Sequence, residues 1–172
     1  MDLRSKEKLF SEVYETYRHK IYRLCYAYIY QKEEVDDLFQ EIMINIWNSL
    51  EKFRGESQIG TWAYRVAVNS ALLYNRKHKH YTKVHANFTE VFLIDNESPG
   101  DDHHDIERKL NTLAKSISLL EKQDRIIISL ILEGLSYEQV SEIVGVTANY
   151  VGVKVNRIKK QLFTLFNTQS DE

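Results

Sequence analysis

Apolar side chains recur along this chain at steps of three and four, the period of a helix with one buried face. Phe10, Val13, Tyr14, Tyr17, Ile21, Leu24, Cys25 and Tyr28 predict a first helix over about residues 5–30. Val35, Leu38, Phe39, Ile42 and Ile46, with Met43 beside them, predict a second from about Glu33 to Leu50. A short loop, Phe53-Arg54-Gly55-Glu56-Ser57, leads to a third from about Ile59 to Lys77. The period is then lost over residues 78–105, which hold the only proline, Pro99, followed by Gly100. A stretch that long is unusual inside one packed domain, so it reads as a tether between two. A run at Val91-Phe92-Leu93-Ile94 is the one candidate for a short extended piece. The helical period resumes with Ile106, Leu110, Leu113, Ile117 and Leu120, then Ile127, Leu130 and Ile131, a short helix that Asp124 can cap. The expected fold is therefore all-α: two small helical domains, residues 1–77 and 106–172, joined by a flexible acidic linker over residues 78–105.

The last part of the pattern is the most specific. Ser136 followed three residues later by Gln139 is a capping-box start. Val140, Ile143 and Val144 give that short helix one apolar face, Gly145 supplies a turn, and Thr147 can cap the next helix. In that last helix Val151, Val155, Ile158 and Leu162 point inward, while Asn149, Tyr150, Lys154, Arg157 and Lys160 occupy the other side. Two helices joined by such a turn, the second with a polar and basic front, form a helix–turn–helix suited to a DNA major groove. An ordinary helical hairpin with solvated lysines is the alternative.

Composition changes this picture in one respect. Over 172 residues, 43% are hydrophobic and 28% charged, which is the balance of a globular chain and not a disordered one. The net charge of −2 argues against a general nucleic-acid coat, but it hides an uneven distribution. Residues 51–83 hold seven cations against two acids, and residues 84–107 hold seven acids and no Lys or Arg. Blocks of like charge read as interaction surfaces or tails more often than as fold elements. Cys25 stands alone, so no disulfide forms within the chain, and its place on an apolar stripe marks it as a small buried hydrophobe. No apolar run is long enough to span a bilayer and no signal-peptide pattern is present, so membrane insertion is not expected and the cytoplasm is the default compartment.

Three places offer binding chemistry. Thr61, Arg65, Asn69, Leu72 and Arg76 share one face of the third helix, which ends in Arg76-Lys77-His78-Lys79, a basic run suited to phosphates. The Phe53–Ser57 loop before it mixes an aromatic, a cation, a flexible residue and small acceptors, the parts that hold an unstacked base. The second helix begins with Asp36-Asp37-Leu38-Phe39-Gln40-Glu41, where carboxylates near a helix N-terminus are either solvated or a docking face for a partner helix. His78, His80, His85, His103 and His104 have no recognised ligand spacing and no cysteine among them, so neither a metal nor another cofactor is expected. No nucleophile elbow, phosphate-binding glycine loop or catalytic carboxylate pair is visible, which speaks against an enzyme.

Taken in order, these motifs resemble a sigma factor of bacterial RNA polymerase, of the small two-domain extracytoplasmic-function class. The resemblance runs from about Leu9 to Leu165. It rests on Asp37-Leu38-Phe39-Gln40-Glu41, on Phe53-Arg54-Gly55-Glu56-Ser57 with Thr61-Trp62, Arg65, Ala67 and Asn69, and on Glu133-Gly134-Leu135-Ser136-Tyr137 leading into the helix–turn–helix. It implies that Asp37, Leu38, Gln40 and Glu41 face the clamp helices of core RNA polymerase. It implies that Phe53, Arg54 and Ser57 hold a flipped base of the downstream promoter element. Thr61, Arg65, Asn69, Arg76 and Lys77 would contact the flanking DNA, and Trp62 would brace their helix from inside. The helix beginning after Thr147 would enter the upstream element, with Asn149, Tyr150 and Lys154 nearest the bases and Arg157 and Lys160 on phosphates. An anti-sigma factor is the regulator such a protein implies. One departure stands out: the family usually places a basic residue near Gly152, and a glycine there either lets the backbone approach DNA closely or weakens phosphate contact.

A free-standing helix–turn–helix regulator that binds duplex operators remains the alternative function. A module that contacts only protein is a third.

Overall fold

The computed structural model describes residues 2–29, 32–77 and 103–170, and all regular structure among them is helical. Helix α1 spans Leu3–Tyr28. Asp2 starts it, accepting from the Ser5 N–H at 3.0 Å and from the Ser5 hydroxyl at 2.7 Å. Those bonds satisfy a donor that the first turn would otherwise leave open, and they hold the Asp2 carboxyl below its ordinary range. Helix α2 spans Lys32–Ser49 and runs into a 3-10 turn, Leu50–Lys52. Helix α3 spans Ile59–Lys77, as its apolar period predicts.

These three helices pack on one another. Val13, Ile21, Leu24, Val35, Leu38, Ile42 and Ile46 fill the space between them. Ala63, Ala67 and Ala71, at steps of four along α3, are buried, and their small side chains let α3 lie close against its neighbours. Cys25 is buried, and desolvation raises its thiol well above the ordinary value, which leaves it unreactive. Tyr14, expected on the inner stripe, is partly exposed and rests on Phe10 with Arg18 over its ring.

The second domain holds α4 (His103–Ser118), α5 (Lys122–Leu132), α6 (Tyr137–Val144) and α7 (Ala148–Ser170). Helix α4 starts within the stretch read as tether, ahead of Ile106. Residues 78–102, with the extended piece expected at residues 91–94, lie outside the described residues, as do the side chains of His103 and His104. Asp124 does not cap α5: Glu121 holds that position, and Asp124 sits inside the first turn, where it pairs with Lys154 of α7. The guanidinium of Arg125 does the capping work at the preceding turn, donating to the carbonyls of Leu120 at 2.8 Å and Ser118 at 3.3 Å.

The two domains dock. Helix α5 lies against α1, and α6 lies against α3. Buried side chains of both domains join in one cluster. Arg23 of α1 forms a two-pronged ion pair with Glu133 at the end of α5, Nε to Oε1 at 2.7 Å and Nη2 to Oε2 at 2.8 Å. Arg125 also donates from Nε to the Ala27 carbonyl at 3.1 Å. The Lys122 ammonium lies 5.3 Å from the centre of the Tyr28 ring. Burial and then the neighbouring Arg125 lower the pKa of that ammonium.

Candidate nucleic-acid interface

The loop after the 3-10 turn is fixed at both ends. The Phe53 N–H donates to the Leu50 carbonyl at 3.1 Å, and the Trp62 N–H closes onto the Gln58 carbonyl at 3.0 Å. Between them Gly55 takes a φ of 73°, a left-handed value that side chains disfavour. The loop and the start of α3 then enclose a cleft of about 540 Å³, lined by Lys52, Phe53, Arg54, Glu56, Ser57, Trp62, Arg65 and Glu142. The Phe53 and Trp62 rings sit 5.2 Å apart at an angle of 51°. Three cations on the cleft's wall stand against two carboxylates, so it offers an aromatic surface with positive charge at its margin.

Three of these residues, Lys52, Trp62 and Glu142, are not among those expected to line the site. Trp62 packs its half-buried ring against the core, as its place on the helical stripe predicts, and the same ring lines the cleft. Glu142 comes from α6 of the other domain, where nothing in the local pattern points to the cleft. Of the expected residues, Asn69 is exposed farther along α3. Thr61 is 4% exposed and packs inward, so it supports the helix in place of presenting a side chain. Arg76 and Lys77 lie on the last turn of α3, and their side chains fall outside the described residues.

On α2, Asp37 and Gln40 are exposed and Glu41 is half-buried. Leu38 is fully buried, as its place in the apolar period predicts, and anchors α2 in the core beneath that face. Glu34, Asp37 and Glu41 all bear on the Tyr74 phenol of α3, whose pKa burial raises first and these carboxylates raise further. The carboxylates of this face thus lie close enough to α3 to act on a buried phenol there.

The helix–turn–helix has the expected local chemistry. The Gln139 N–H donates to Ser136 Oγ at 3.2 Å, and the Ser136 N–H donates back to Gln139 Oε1 at 2.9 Å. Gly145 ends α6 with φ 74° and ψ 37°, in the left-handed region. Thr147 Oγ1 accepts from the Tyr150 N–H at 3.2 Å and starts α7. Val151, Val155, Ile158 and Leu162 are buried, which turns Asn149, Tyr150, Arg157 and Lys160 outward. Lys154 differs. Its Nζ lies 2.6 Å from Asp124 Oδ1, its side chain is 17% exposed, and the bond to Asp124 raises its pKa. Gly152 also differs: a Cβ built there would lie 3.4 Å from Cε2 of Tyr137. The glycine lies where α7 passes the Tyr137 ring at the start of α6.

Two family models match this chain, sigma-70 region 2 over residues 13–81 and sigma-70 region 4 over residues 110–162. The chain belongs to the sigma-70 family. Its curated relatives include the ECF RNA polymerase sigma factor SigW of Bacillus subtilis, 26% identical over 89% of this chain and 88% of its own length. They also include the RNA polymerase sigma-H factor of Pseudomonas aeruginosa, 29% identical over 92% and 86%. The ECF RNA polymerase sigma-E factor of Escherichia coli K12 is 28% identical over 91% and 85%. Among solved structures the fold resembles the sigma factor RpoE of Bartonella quintana, determined with the anti-sigma factor NepR, at a TM-score of 0.71 and 18% identity, over 92% of this chain and 96% of that one. It also resembles CnrH, determined with the cytosolic domain of CnrY, at 0.64 and 14% identity, over 92% and 88%.

This is a sigma factor of the extracytoplasmic-function class that acts in promoter-specific transcription initiation, and the reading as a free-standing regulator is not favoured. Sigma factors are not enzymes in general. Among the described residues no helix is long and apolar enough to cross a membrane.

Proposed function

We propose that the two domains divide promoter recognition between them, each through its own surface. The first domain, residues 1–77, docks on core RNA polymerase through Asp37, Gln40 and Glu41, with Leu38 holding their helix from beneath. Its Phe53–Ser57 cleft takes a base of the downstream element. Removing a base from the stack costs a few kcal/mol. The Phe53–Trp62 wall offsets that by stacking, while Arg54 and Arg65 meet the adjoining phosphates. Asn69, Arg76 and Lys77 extend the contact along α3, and Thr61 fixes the helix start.

The second domain, residues 106–172, sets α7 in the major groove of the upstream element. Asn149 and Tyr150 lie nearest the bases, Thr147 holds the helix start, and Arg157 and Lys160 meet phosphates. Lys154, held by Asp124, orients α7. The connecting segment, acidic by sequence, occupies a basic channel of the polymerase and is displaced as RNA grows. The chain does no covalent chemistry, works in the cytoplasm where the polymerase works, and has an anti-sigma factor as its regulator. That last assignment takes its support from the resembled RpoE, a sigma factor determined with the anti-sigma factor NepR.

The observation that supports this reading most is the aromatic pair flanked by cations in one cleft. Run-off transcription with purified core polymerase on a library of genomic templates tests it. Site-selective transcripts are expected. Phe53→Ala or Arg65→Ala should lower open-complex formation, and Asn149→Ala or Arg157→Ala should weaken use of the upstream element. No selective RNA from any template would overturn the reading.

A further inference from the structure

The ammonium of Lys154 does not project with the other cations of α7. Tyr150, one turn before it, and Arg157, one turn after it, are exposed, and both act on its charge. Lys154 itself turns back to the first turn of α5, where Nζ donates to Asp124 Oδ1 at 2.6 Å. The two side chains are 17% and 12% exposed, so the pair is shielded from water and little screened by salt. Charge-assisted bonds of this kind are stronger than neutral ones. An ammonium matched in this way by a carboxylate presents no net charge to a phosphate.

What remains on the outer side of α7 differs in kind. Asn149, Val153 and Asn156 are exposed and uncharged, and Val153 is 52% exposed. Amides match the donor and acceptor edges of bases, and an apolar side chain matches the methyl group of thymine. The exposed cations Arg157 and Lys160 follow on the later turns. Contacts to phosphate raise affinity for every sequence alike, whereas base contacts separate one sequence from another.

We propose that Asp124 is a positioning residue that withholds Lys154 from the DNA backbone, so that α7 grips the upstream element with one phosphate contact fewer than its cations allow. The inference rests on the reading of α7 as the helix that meets that element. The lysine stem is flexible, so neutralising Asp124 frees the ammonium to swing out beside Arg157. The affinity gained is independent of sequence. It strengthens the hold on wrong sites that the parent chain occupies poorly and adds little at a right site that is already filled.

The full-length chain is titrated with a short duplex of randomised sequence, by fluorescence anisotropy over a series of salt concentrations. Asp124→Asn should steepen the slope of log affinity against log salt by about 0.9, the value of one added phosphate contact, and tighten binding roughly five- to tenfold at about 0.1 M salt. Adding Lys154→Gln to Asp124→Asn should return both values to those of the parent. Lys154→Gln alone should keep the parent slope, where a lysine seated on phosphate would forfeit about 0.9. Glu138 is exposed on α6 and paired with no lysine among the described residues, so Glu138→Gln removes the same charge without freeing a cation and should leave the slope unchanged. Run-off transcription adds a second readout, with core polymerase at a concentration that saturates a matched template. There Asp124→Asn should raise output from a template with a scrambled upstream element severalfold and hardly change output from the matched one. Arg157→Ala tests the underlying reading and should flatten the slope by about 0.9. The proposal fails if Asp124→Asn keeps the parent slope while Arg157→Ala flattens it, if Lys154→Gln flattens it as Arg157→Ala does, or if Glu138→Gln steepens it equally. If Arg157→Ala leaves the slope unchanged, α7 does not lie on DNA, and the reading beneath the proposal falls with it.

Discussion

The helix–turn–helix of α6 and α7 is assembled from contacts three or four residues apart, whereas the Phe53–Ser57 cleft takes its wall from both domains. Ser136 with Gln139, Gly145 in its left-handed turn and Thr147 with Tyr150 each close within one helical turn. Glu142 reaches the cleft only because α5 is clasped to α1 and α6 rests on α3. A local unit of this kind fails by losing stability. An assembled one fails also when the docking of the domains is disturbed, with each domain still folded. The two surfaces thus respond to different classes of mutation.

The largest effect should come from the packing behind the local unit. Ile158 is fully buried on the inner side of α7. Ile158→Ala should cost about 2–5 kcal/mol, through lost transfer energy and the cavity left behind. The urea midpoint reads this directly. A loss near zero would show that caps and turn alone hold α7, and the second domain would then owe less to its core than the contrast requires.

The Lys154–Asp124 pair joins α7 to α5 and comes next. Asp124→Ala leaves a shielded ammonium without its acceptor, and about 1.5–3 kcal/mol should be lost, the range for hydrogen bonds to charged groups. The pH dependence has a definite sign. Lys154 has a folded-state pKa above its ordinary 10.5, chiefly because of the hydrogen bond to Asp124. Its contribution is therefore complete below 10.5 and is lost as pH rises through the raised value. Thermal midpoints of the parent should fall faster than those of Asp124→Ala between about pH 9 and pH 12. Parallel curves would mean that the pair adds nothing to folding and leave Lys154 free to act on DNA.

Gly145 tests the turn itself. With φ at 74°, an alanine there pays the left-handed penalty of roughly 1–2 kcal/mol, and asparagine less. Urea titration of Gly145→Ala and Gly145→Asn should rank them in that order below the parent. The radius of gyration should not change.

Local encoding also explains what the sequence makes legible. The capping box, the turn glycine and the α7 cap follow from side-chain chemistry at fixed short offsets, so the order of residues is enough to locate them. Apolar period locates α3 as well, but it cannot tell that a ring packed on the core also forms a cleft wall, and Trp62 does both. Likewise a motif resemblance maps positions and not exposures. Leu38 and Thr61 occupy motif positions, yet both are buried. Asp124 looks like a cap because aspartate favours that role, but α5 begins earlier and leaves it inside the first turn. The Arg23–Glu133 pair is the least legible of all. Among 23 Lys and Arg and 25 Asp and Glu, nothing local selects Arg23 and Glu133 as partners. That choice is made by the packing of α1 on α5.

Gly152 carries the smallest expected effect and separates two explanations of a glycine within the reading helix. Alanine gains about 1 kcal/mol of helix propensity over glycine in a helix interior. Here the added methyl would meet Tyr137 Cε2 at 3.4 Å, tight enough to require a small shift of that ring. The ring lies at the start of α6 and is partly exposed, so it has room to give. The two contributions nearly cancel, and Gly152→Ala should lie within about 0.5 kcal/mol of the parent, as surface changes without a special mechanism do. Promoter affinity in the polymerase complex should be unchanged. If the glycine instead exists to let backbone approach DNA, the same alanine should weaken promoter binding while the urea midpoint stays put. A larger side chain adds the contrasting control: Gly152→Leu must push Tyr137 and separate α6 from α7, so stability and binding should fall together.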